Sequence, residues 1–228
     1  MKLPSVLDIL FPKRCVNCGR LGAYFCSNCT KMIQIILVTE AICPMCERPA
    51  IDGRTHPRCQ TRYSIDGLTS FFRYNGVVRK GIKAIKYRLI SDIASSFVDI
   101  ISNQMTHNIF EQGRDDRSVL VPIPLYVSRL RERGFNQAEV LGKFVADRLN
   151  ISMRTEMLER VKKTTPQVEM KDREKRLKNM ANVFAAGKVV SNIILFDDVF
   201  TTGATMRSAT NVLKRAGAKF VWAVTMAR

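Results

Sequence analysis

Long apolar runs are missing from this chain, because its sequence holds no stretch of 18 or more consecutive apolar residues. A helix that crosses a bilayer needs about 20 such residues, so we expect no membrane span. The opening segment, MKLPSVLDILF, is too short for a secretory signal and is interrupted by Pro4 and Asp8. These absences predict a cytoplasmic protein.

Acidic residues are scarce, with 20 Asp or Glu against 37 Lys or Arg, and the formal net charge is +17. The sequence pI is about 10.0. A charge of this sign and size favours a polyanionic partner, either nucleic acid or a phosphate-rich small molecule. Residues 1–67 carry a net charge of +4 and residues 68–228 a net charge of +13, so both parts of the chain are basic.

Cysteine is absent after residue 59, and all seven cysteines lie in residues 15–59. An odd number fits disulfides poorly, and a cytoplasmic setting favours metal binding. With one histidine they form four pairs that share the same two-residue gap: Cys15 and Cys18, Cys26 and Cys29, Cys43 and Cys46, and His56 and Cys59. Four such pairs can supply two closed tetrahedral sites, so we predict two structural zinc ions.

The pairing of these ligands has two solutions. Sequential pairing places residues 15–29 on one ion and residues 43–59 on the other, whereas interleaved pairing combines the first pair with the third. A segment of about 50 residues builds too little hydrophobic core, so the metal ions would replace it. This predicts a small zinc-binding module in residues 1–67, ahead of a larger domain in residues 68–228. The apolar run of residues 32–38 would pack the two halves of the module together or dock on that domain.

Residues 193–205, IILFDDVFTTGAT, contain the strongest candidate for a functional site. A short apolar run predicts a buried parallel strand over residues 193–196, which ends in Asp197 and Asp198. Five small residues then offer hydroxyls and backbone N–H groups to a phosphate at the start of a helix: Thr201, Thr202, Gly203, Ala204 and Thr205. Together these elements predict a doubly wound α/β fold that binds its ligand at the carboxyl ends of the strands.

Basic residues elsewhere in the chain are candidate phosphate ligands. Arg129, Arg131 and Arg133 alternate ahead of a glycine. This pattern predicts a mobile loop that closes over a diphosphate, since arginine binds phosphate oxygens in a bidentate manner. Lys86 lies in a basic stretch after a predicted helix, and we expect it to reach a ligand phosphate. The predicted site therefore extends beyond the strand-to-helix turn.

The acidic pair and the T-x-G-x-T turn resemble the phosphoribosyl pyrophosphate (PRPP) loop of type I phosphoribosyltransferases. In that family, adjacent carboxylates hold the two ribose hydroxyls and the turn binds the 5-phosphate. The resemblance assigns these roles here to Asp197 and Asp198 and to residues 201–205. It also implies that Mg²⁺ binds with the PRPP diphosphate.

A closer resemblance covers essentially the whole chain. The stretches PIPLYVSRLRERGFNQAEVL and ERVKKTTPQVEMKDREKRLKNMANVF, the PRPP loop and the cysteine-paired module are similar to the ComF family of competence-associated, phosphoribosyltransferase-like proteins. The most specific pieces are RERGFNQ at residues 131–137, Pro166 with Gln167, Arg176 with Asn179, and residues 197–205. The resemblance implies a type I phosphoribosyltransferase fold with an amino-terminal double zinc ribbon, recognition of PRPP or a related sugar phosphate, and a role in handling single-stranded DNA during natural transformation, with DNA-uptake proteins as partners.

Enzymatic activity stays open on the sequence alone. Purine-salvage relatives carry a carboxylate base inside the PRPP loop, where this chain has Thr201, so no acceptor base can be named. Three interpretations compete: a DNA-uptake factor that binds single-stranded DNA, a metabolic phosphoribosyltransferase, and a PRPP-sensing regulator without chemistry. For DNA binding, we expect one or two of the following aromatic side chains to stack on bases: Phe25, Phe71, Phe72, Tyr74, Tyr87 and Phe135.

Overall fold

A computed structural model describes residues 12–85, 90–102, 105–106, 109, 118–162 and 183–228. The strands are β1 (Gly67–Phe72), β2 (Val119–Pro122), β3 (Ser152–Met153), β4 (Leu158–Arg160), β5 (Phe184–Ala186), β6 (Asn192–Val199) and β7 (Phe220–Ala227). Five of them form one sheet in the order β1-β7-β6-β2-β3, and every neighbouring pair is parallel. Strands β4 and β5 form a separate antiparallel pair.

The helices of the described residues are α1 (Ser27–Thr30), α2 (Gly76–Ala84), α3 (Ile90–Val98), α4 (Val127–Arg133), α5 (Gln137–Leu149) and α6 (Ala204–Arg215). Short 3₁₀ turns occur in the cysteine-rich part at Val38–Glu40, Ile51–Gly53 and Pro57–Cys59. Helix α5 begins after Asn136, whose side-chain oxygen accepts a hydrogen bond from the backbone N–H of Ala138 at 3.2 Å. In these residues, no helix combines the length and the apolar character that a bilayer crossing requires.

Both faces of the central sheet are covered. On β6, Ile194 and Phe196 point into a core shared with α2, α3 and α5, whereas Ile193 and Leu195 point into a core shared with α6, β4 and β5. A strand buried on both faces carries apolar residues without alternation, which explains the continuous apolar run in the sequence. The predicted α/β fold, with a parallel sheet between two layers and an amino-terminal zinc-binding module, is confirmed.

The cysteine-rich part docks on the exposed edge of β1 through residues 34–36. The Ile36 N–H donates to the Phe71 carbonyl and the Arg73 N–H donates to the Gln34 carbonyl, both at 2.9 Å. The apolar run of residues 32–38 is therefore neither a helix nor a regular strand, and it serves to attach this part of the chain to the sheet. The boundary proposed at residue 67 stays a prediction.

Two expectations from the sequence are wrong. Residues 127–133 form helix α4 rather than a loop, and the helix ends where Gly134 adopts a φ of 80°. Arginine, leucine and glutamate all favour helix, which explains this outcome. Phe71 and Phe72 are buried to 1% and 0% exposure, so neither can stack on a nucleic-acid base. Burial does not alternate along β1, because both faces of that strand are covered.

Candidate ligand site and metal clusters

The carboxyl ends of β2 and β6 form the topological switch point of the sheet. The two strands are neighbours, with Pro122 paired to Phe196. The chain leaves β2 towards β3 on one side and leaves β6 towards β7 on the other. Such diverging connections open a crevice where α/β sheets bind ligands. Asp197 and Asp198 follow Phe196 directly and lie within β6, which extends to Val199 and thus beyond the predicted strand end.

Asp197 and Asp198 are both partly buried at this crevice, and a hydrogen bond joins the two residues. The backbone N–H of Asp198 donates to Oδ1 of Asp197 at 2.9 Å. Burial raises the pKa of Asp197 well above its ordinary value, and the negative charge of Asp198 raises it further, whereas this N–H and the charge of Arg160 act in the opposite direction. Adjacent carboxylate oxygens can accept hydrogen bonds from the two hydroxyls of a vicinal diol.

The turn between β6 and α6 has the properties of a phosphate-binding loop. Gly203 adopts a φ of 67°, and a Cβ at this position would lie 2.6 Å from the ring of Phe200, so only glycine fits. In the described part of the chain, the hydroxyl oxygen of Thr202 is buried without a hydrogen-bond partner. Thr201 is exposed and Thr205 is partly buried at the start of α6. A phosphate at this helix start would satisfy the Thr202 hydroxyl and meet the positive end of the helix dipole.

Arg160, at the end of β4, is a cation near this site to which the sequence alone assigns no role. Its guanidinium lies over the ring of Phe184, 5.6 Å from the centroid. Burial lowers the pKa of Arg160 and the charge of Arg129 lowers it further, whereas Asp197 raises it. Arg129 and Arg160 thus lie within electrostatic reach of each other and Arg160 within reach of Asp197. Two guanidiniums beside the crevice favour a ligand with more than one negative charge.

The other predicted phosphate ligands are less closely tied to the acidic pair. Arg131 is exposed on α4. Arg133 donates through Nη1 to Oε1 of Gln137 at 2.7 Å, and Nε2 of Gln137 donates to the carbonyl of Ile82 at 3.1 Å. Arg133 is therefore anchored to α5 and α2. Lys86 lies outside the described residues, and phosphate binding by these three side chains stays a prediction.

The first metal cluster contains four cysteines whose sulfurs all lie within 4.8 Å of one another: Cys15, Cys18, Cys26 and Cys29. The Cys18 and Cys26 sulfurs are 3.7 Å apart. Sulfurs bound to a tetrahedral Zn²⁺ at about 2.3 Å would lie about 3.8 Å apart, so the spacing fits zinc. A hydrogen bond from Asn17 lowers the pKa of Cys29, but burial and the neighbouring cysteines raise it to about 12. Four thiolates can coexist here only with a cation between them.

The second cluster contains four residues, again with ligand atoms within 4.8 Å of one another: Cys43, Cys46, His56 and Cys59. Nδ1 of His56 lies 3.3 Å from the Cys46 sulfur, and Nε2 lies 3.0 Å from the carbonyl oxygen of Pro49. A carbonyl only accepts, so Nε2 carries the proton and the Nδ1 lone pair faces the cluster. A histidine that binds a metal through one ring nitrogen usually donates the N–H of the other to a carbonyl or carboxylate, as His56 does here. Both groupings correspond to sequential pairing and fit two structural zinc ions.

The chain is similar to known proteins in both of its parts. Residues 6–60 match the family model of the double zinc ribbon domain. Competence protein ComFC of Bacillus subtilis (strain 168) is 31% identical over 203 residues, which cover 84% of this chain and 78% of that protein. The similarity to this protein therefore covers most of the chain.

Two further relatives have related names. DNA utilization protein YhgH of Escherichia coli (strain K12) is 26% identical over 200 residues, which cover 86% of each chain. Competence protein F of Haemophilus influenzae is 32% identical over 113 residues, which cover 48% of this chain and 49% of that protein. Their names concern competence or the use of DNA, which agrees with the resemblance found in the sequence.

Proposed function

The chain belongs to the ComF family, and we propose that it acts in DNA uptake as a protein that binds PRPP or a related sugar phosphate and also single-stranded DNA. The names of its relatives support the role in competence and DNA use. Proteins of the DNA-uptake machinery would then be its partners. The proposed domains are a double zinc ribbon in residues 1–67 and a phosphoribosyltransferase-like domain in residues 68–228.

The observation that carries the sugar-phosphate proposal is the position of the acidic pair beside the glycine turn. Asp197 and Asp198 lie at the end of β6, and the turn at Gly203 leads from that strand into α6. A ribose bound here would donate its two hydroxyls to the carboxylates. Its 5-phosphate would lie at the start of α6, where the Thr202 hydroxyl is buried and available. A hydrophobic core has no use for two adjacent carboxylates, since aspartate is rarely fully buried in a core.

Magnesium fits this site as a companion of the diphosphate. Mg²⁺ prefers oxygen ligands and keeps several of its waters. Asp197 and Asp198 offer carboxylate oxygens at the crevice, and Arg160 adds positive charge beside them. The bound ion would supply neutralisation of the diphosphate charge. The side chains of the chain itself would orient the ribose and hold the phosphates.

Phosphoribosyl transfer is the second candidate function, and the placement of Arg160 favours it. A cation beside Asp197 could stabilise the negative charge that develops on a departing diphosphate. Thr201 offers no base at neutral pH, so the acceptor would have to be an amine or ring nitrogen that is already deprotonated. Release of diphosphate from PRPP with such an acceptor would identify an enzyme. Binding of PRPP without turnover would identify a regulator.

Calorimetry tests the proposed ligand directly. We expect the protein to bind ribose 5-phosphate, and to bind PRPP with Mg²⁺ more tightly because the diphosphate adds contacts to the arginines. The matched control ligand is 2-deoxyribose 5-phosphate, which lacks one hydroxyl of the diol. We expect it to bind about tenfold more weakly, since one carboxylate loses a charge-assisted hydrogen bond. No heat with either ribose ligand at millimolar concentration would contradict the proposed function.

Single-stranded DNA binding is tested by fluorescence anisotropy over a series of salt concentrations. The net charge of +17 predicts binding at low salt through phosphate contacts. The logarithm of the affinity should then fall linearly with the logarithm of the salt concentration, by roughly 0.7 for each phosphate contacted. Phe25, Tyr74 and Phe135 are partly buried and remain candidates for base stacking, and Tyr87 lies outside the described residues. A peptide nucleic acid of the same base sequence, which lacks phosphates, should not bind. An oligonucleotide that does not bind at low salt would exclude this part of the proposal.

A further inference from the structure

The side chain of Arg207 connects the phosphate loop to the second metal cluster. Arg207 lies in the first turn of α6, and its backbone N–H donates to the carbonyl of Gly203 at 2.8 Å. Its Nη1 donates to the carbonyl oxygen of Met45 at 2.7 Å, and its Nη2 donates to the carbonyl oxygen of Thr202. One guanidinium therefore bridges backbone carbonyls that are more than 150 residues apart in the sequence.

The carbonyl of Met45 belongs to the turn that the second cluster shapes. Met45 precedes the ligand Cys46, and the turn closes through a hydrogen bond from the Glu47 N–H to the Cys43 carbonyl at 2.8 Å. Glu47 adopts a φ of 62°, and its Oε1 lies 3.8 Å from Nη2 of Arg207. Zinc ligands hold such turns in place, since structural zinc sites fold only with the metal. The position of the Met45 carbonyl therefore depends on the cluster.

The carbonyl of Thr202 sets the orientation of the phosphate loop. The peptide bond between Thr202 and Gly203 is trans, so its C=O and N–H point in opposite directions. Holding the carbonyl on Arg207 therefore turns the Gly203 N–H away from the guanidinium. The Arg207 side chain is 16% exposed and packs so closely that a Cβ at Gly203 would lie 3.1 Å from its Nη2. Arg207 thus restricts the conformations that are open to the loop.

We propose that the second zinc cluster positions the phosphate loop through Arg207, so that zinc binding at Cys43, Cys46, His56 and Cys59 and sugar-phosphate binding at the loop strengthen each other. Arg207 is a positioning residue, because it acts on the loop backbone and on the cluster turn. The inference rests on the proposed function for the ligand of the loop. Coupling between two sites is reciprocal, so each ligand changes the affinity for the other by the same factor.

Substitution of Arg207 separates this role from a general effect of charge. Arg207→Ala should retain two zinc ions and bind ribose 5-phosphate about tenfold more weakly, because the Thr202 carbonyl loses a charged donor. Arg207→Lys keeps the charge, but a lysine lacks the planar guanidinium that holds both carbonyls. The affinity of this variant for ribose 5-phosphate should therefore stay as low as that of Arg207→Ala. The matched control is Lys143→Ala, which removes one positive charge at an exposed position of α5 and should leave ribose 5-phosphate binding unchanged. Full recovery of affinity in Arg207→Lys would overturn the positioning role.

Zinc competition in the unmodified protein gives an independent measurement. A chelator titration at equilibrium should show that ribose 5-phosphate raises the zinc affinity of one of the two clusters by about the same tenfold factor. Arg207→Ala should abolish this effect. If ribose 5-phosphate binds but the affinities of both clusters stay unchanged, the coupling is absent and the inference fails. If the unmodified protein does not bind ribose 5-phosphate at all, the proposed function fails instead.

Discussion

Chelation of the metal should release about two zinc ions per chain and unfold residues 15–59. Apparent binding energies of structural zinc are roughly 10–16 kcal/mol in small zinc-binding domains, which is comparable to the whole stability of a single domain, roughly 5–15 kcal/mol. The effect should reach the sheet domain, because the first cluster is part of its core. Cys15, Cys26 and Cys29 are buried in the same hydrophobic core as residues of α2, α3 and α5. The ring of Phe25 also stacks on Phe97 of α3, with 5.0 Å between the centroids.

Metal analysis and thermal unfolding before and after chelation measure this effect. His56→Ala should lower the zinc content to about one ion per chain and lower the Tm. His56→Cys is the matched control, because it restores a fourth ligand of a kind that structural zinc sites accept. It should retain about two ions. A zinc content of one in the unmodified protein would contradict the second cluster, and a full content in His56→Ala would remove His56 from its ligands.

The features that the sequence predicts well are those encoded by neighbouring residues. The two-residue gaps between metal ligands constrain each pair locally, and the structure brings the same eight residues into two clusters. The acidic pair, the glycine turn and the start of α6 are contiguous, so one segment of the sequence predicts their order. The parallel sheet follows from apolar runs that are too short for helices. In each case the sequence signal that predicts the element lies within a few residues.

The features that the sequence does not predict depend on contacts between distant segments. Arg160 reaches the crevice only because the β4 and β5 pair covers one face of the sheet. Arg207 contacts Met45 only because the cysteine-rich part docks beside α6. Phe71 and Phe72 are consecutive, and alternation in a strand would expose one of them. Both are buried because helices pack on β1 and the docked segment lies along its outer edge.

Asp197→Asn should stabilise the protein at neutral pH and abolish most of its sugar-phosphate binding. Burial and the charge of Asp198 raise the pKa of Asp197 in the folded state. The folded protein therefore holds a proton that the unfolded chain releases, and stability falls as the pH rises through the raised pKa. Asparagine keeps the shape of the side chain and has no charge to desolvate. Its Tm at pH 7 should exceed that of the unmodified protein, with about 2–4 °C for each kcal/mol gained.

The pH dependence of the Tm distinguishes removal of the Asp197 charge from improved packing as the cause of the higher stability. Below the ordinary pKa of an aspartate, about 3.9, Asp197 is protonated in both states, so the two proteins should have the same Tm. The difference should grow as the pH rises and level off above the raised pKa. Asp147→Asn, at an exposed position on α5, is the control and should leave both Tm and binding unchanged. A gain in Tm that is independent of pH would exclude the charge of Asp197 as its cause.

Ligand binding should change in the opposite sense to stability. Above the raised pKa of Asp197, its ionised carboxylate accepts the ribose hydroxyls with charge-assisted hydrogen bonds, and an amide accepts them weakly. Loss of the charged acceptor should weaken ribose 5-phosphate binding about 100-fold, near the upper end expected for a hydrogen bond to a charged group. The combination of higher stability and lost binding is expected where a protein keeps an unfavourable charge for its ligand. If Asp197→Asn instead bound ribose 5-phosphate as well as the unmodified protein, the acidic pair would not be the sugar site, whatever its effect on Tm.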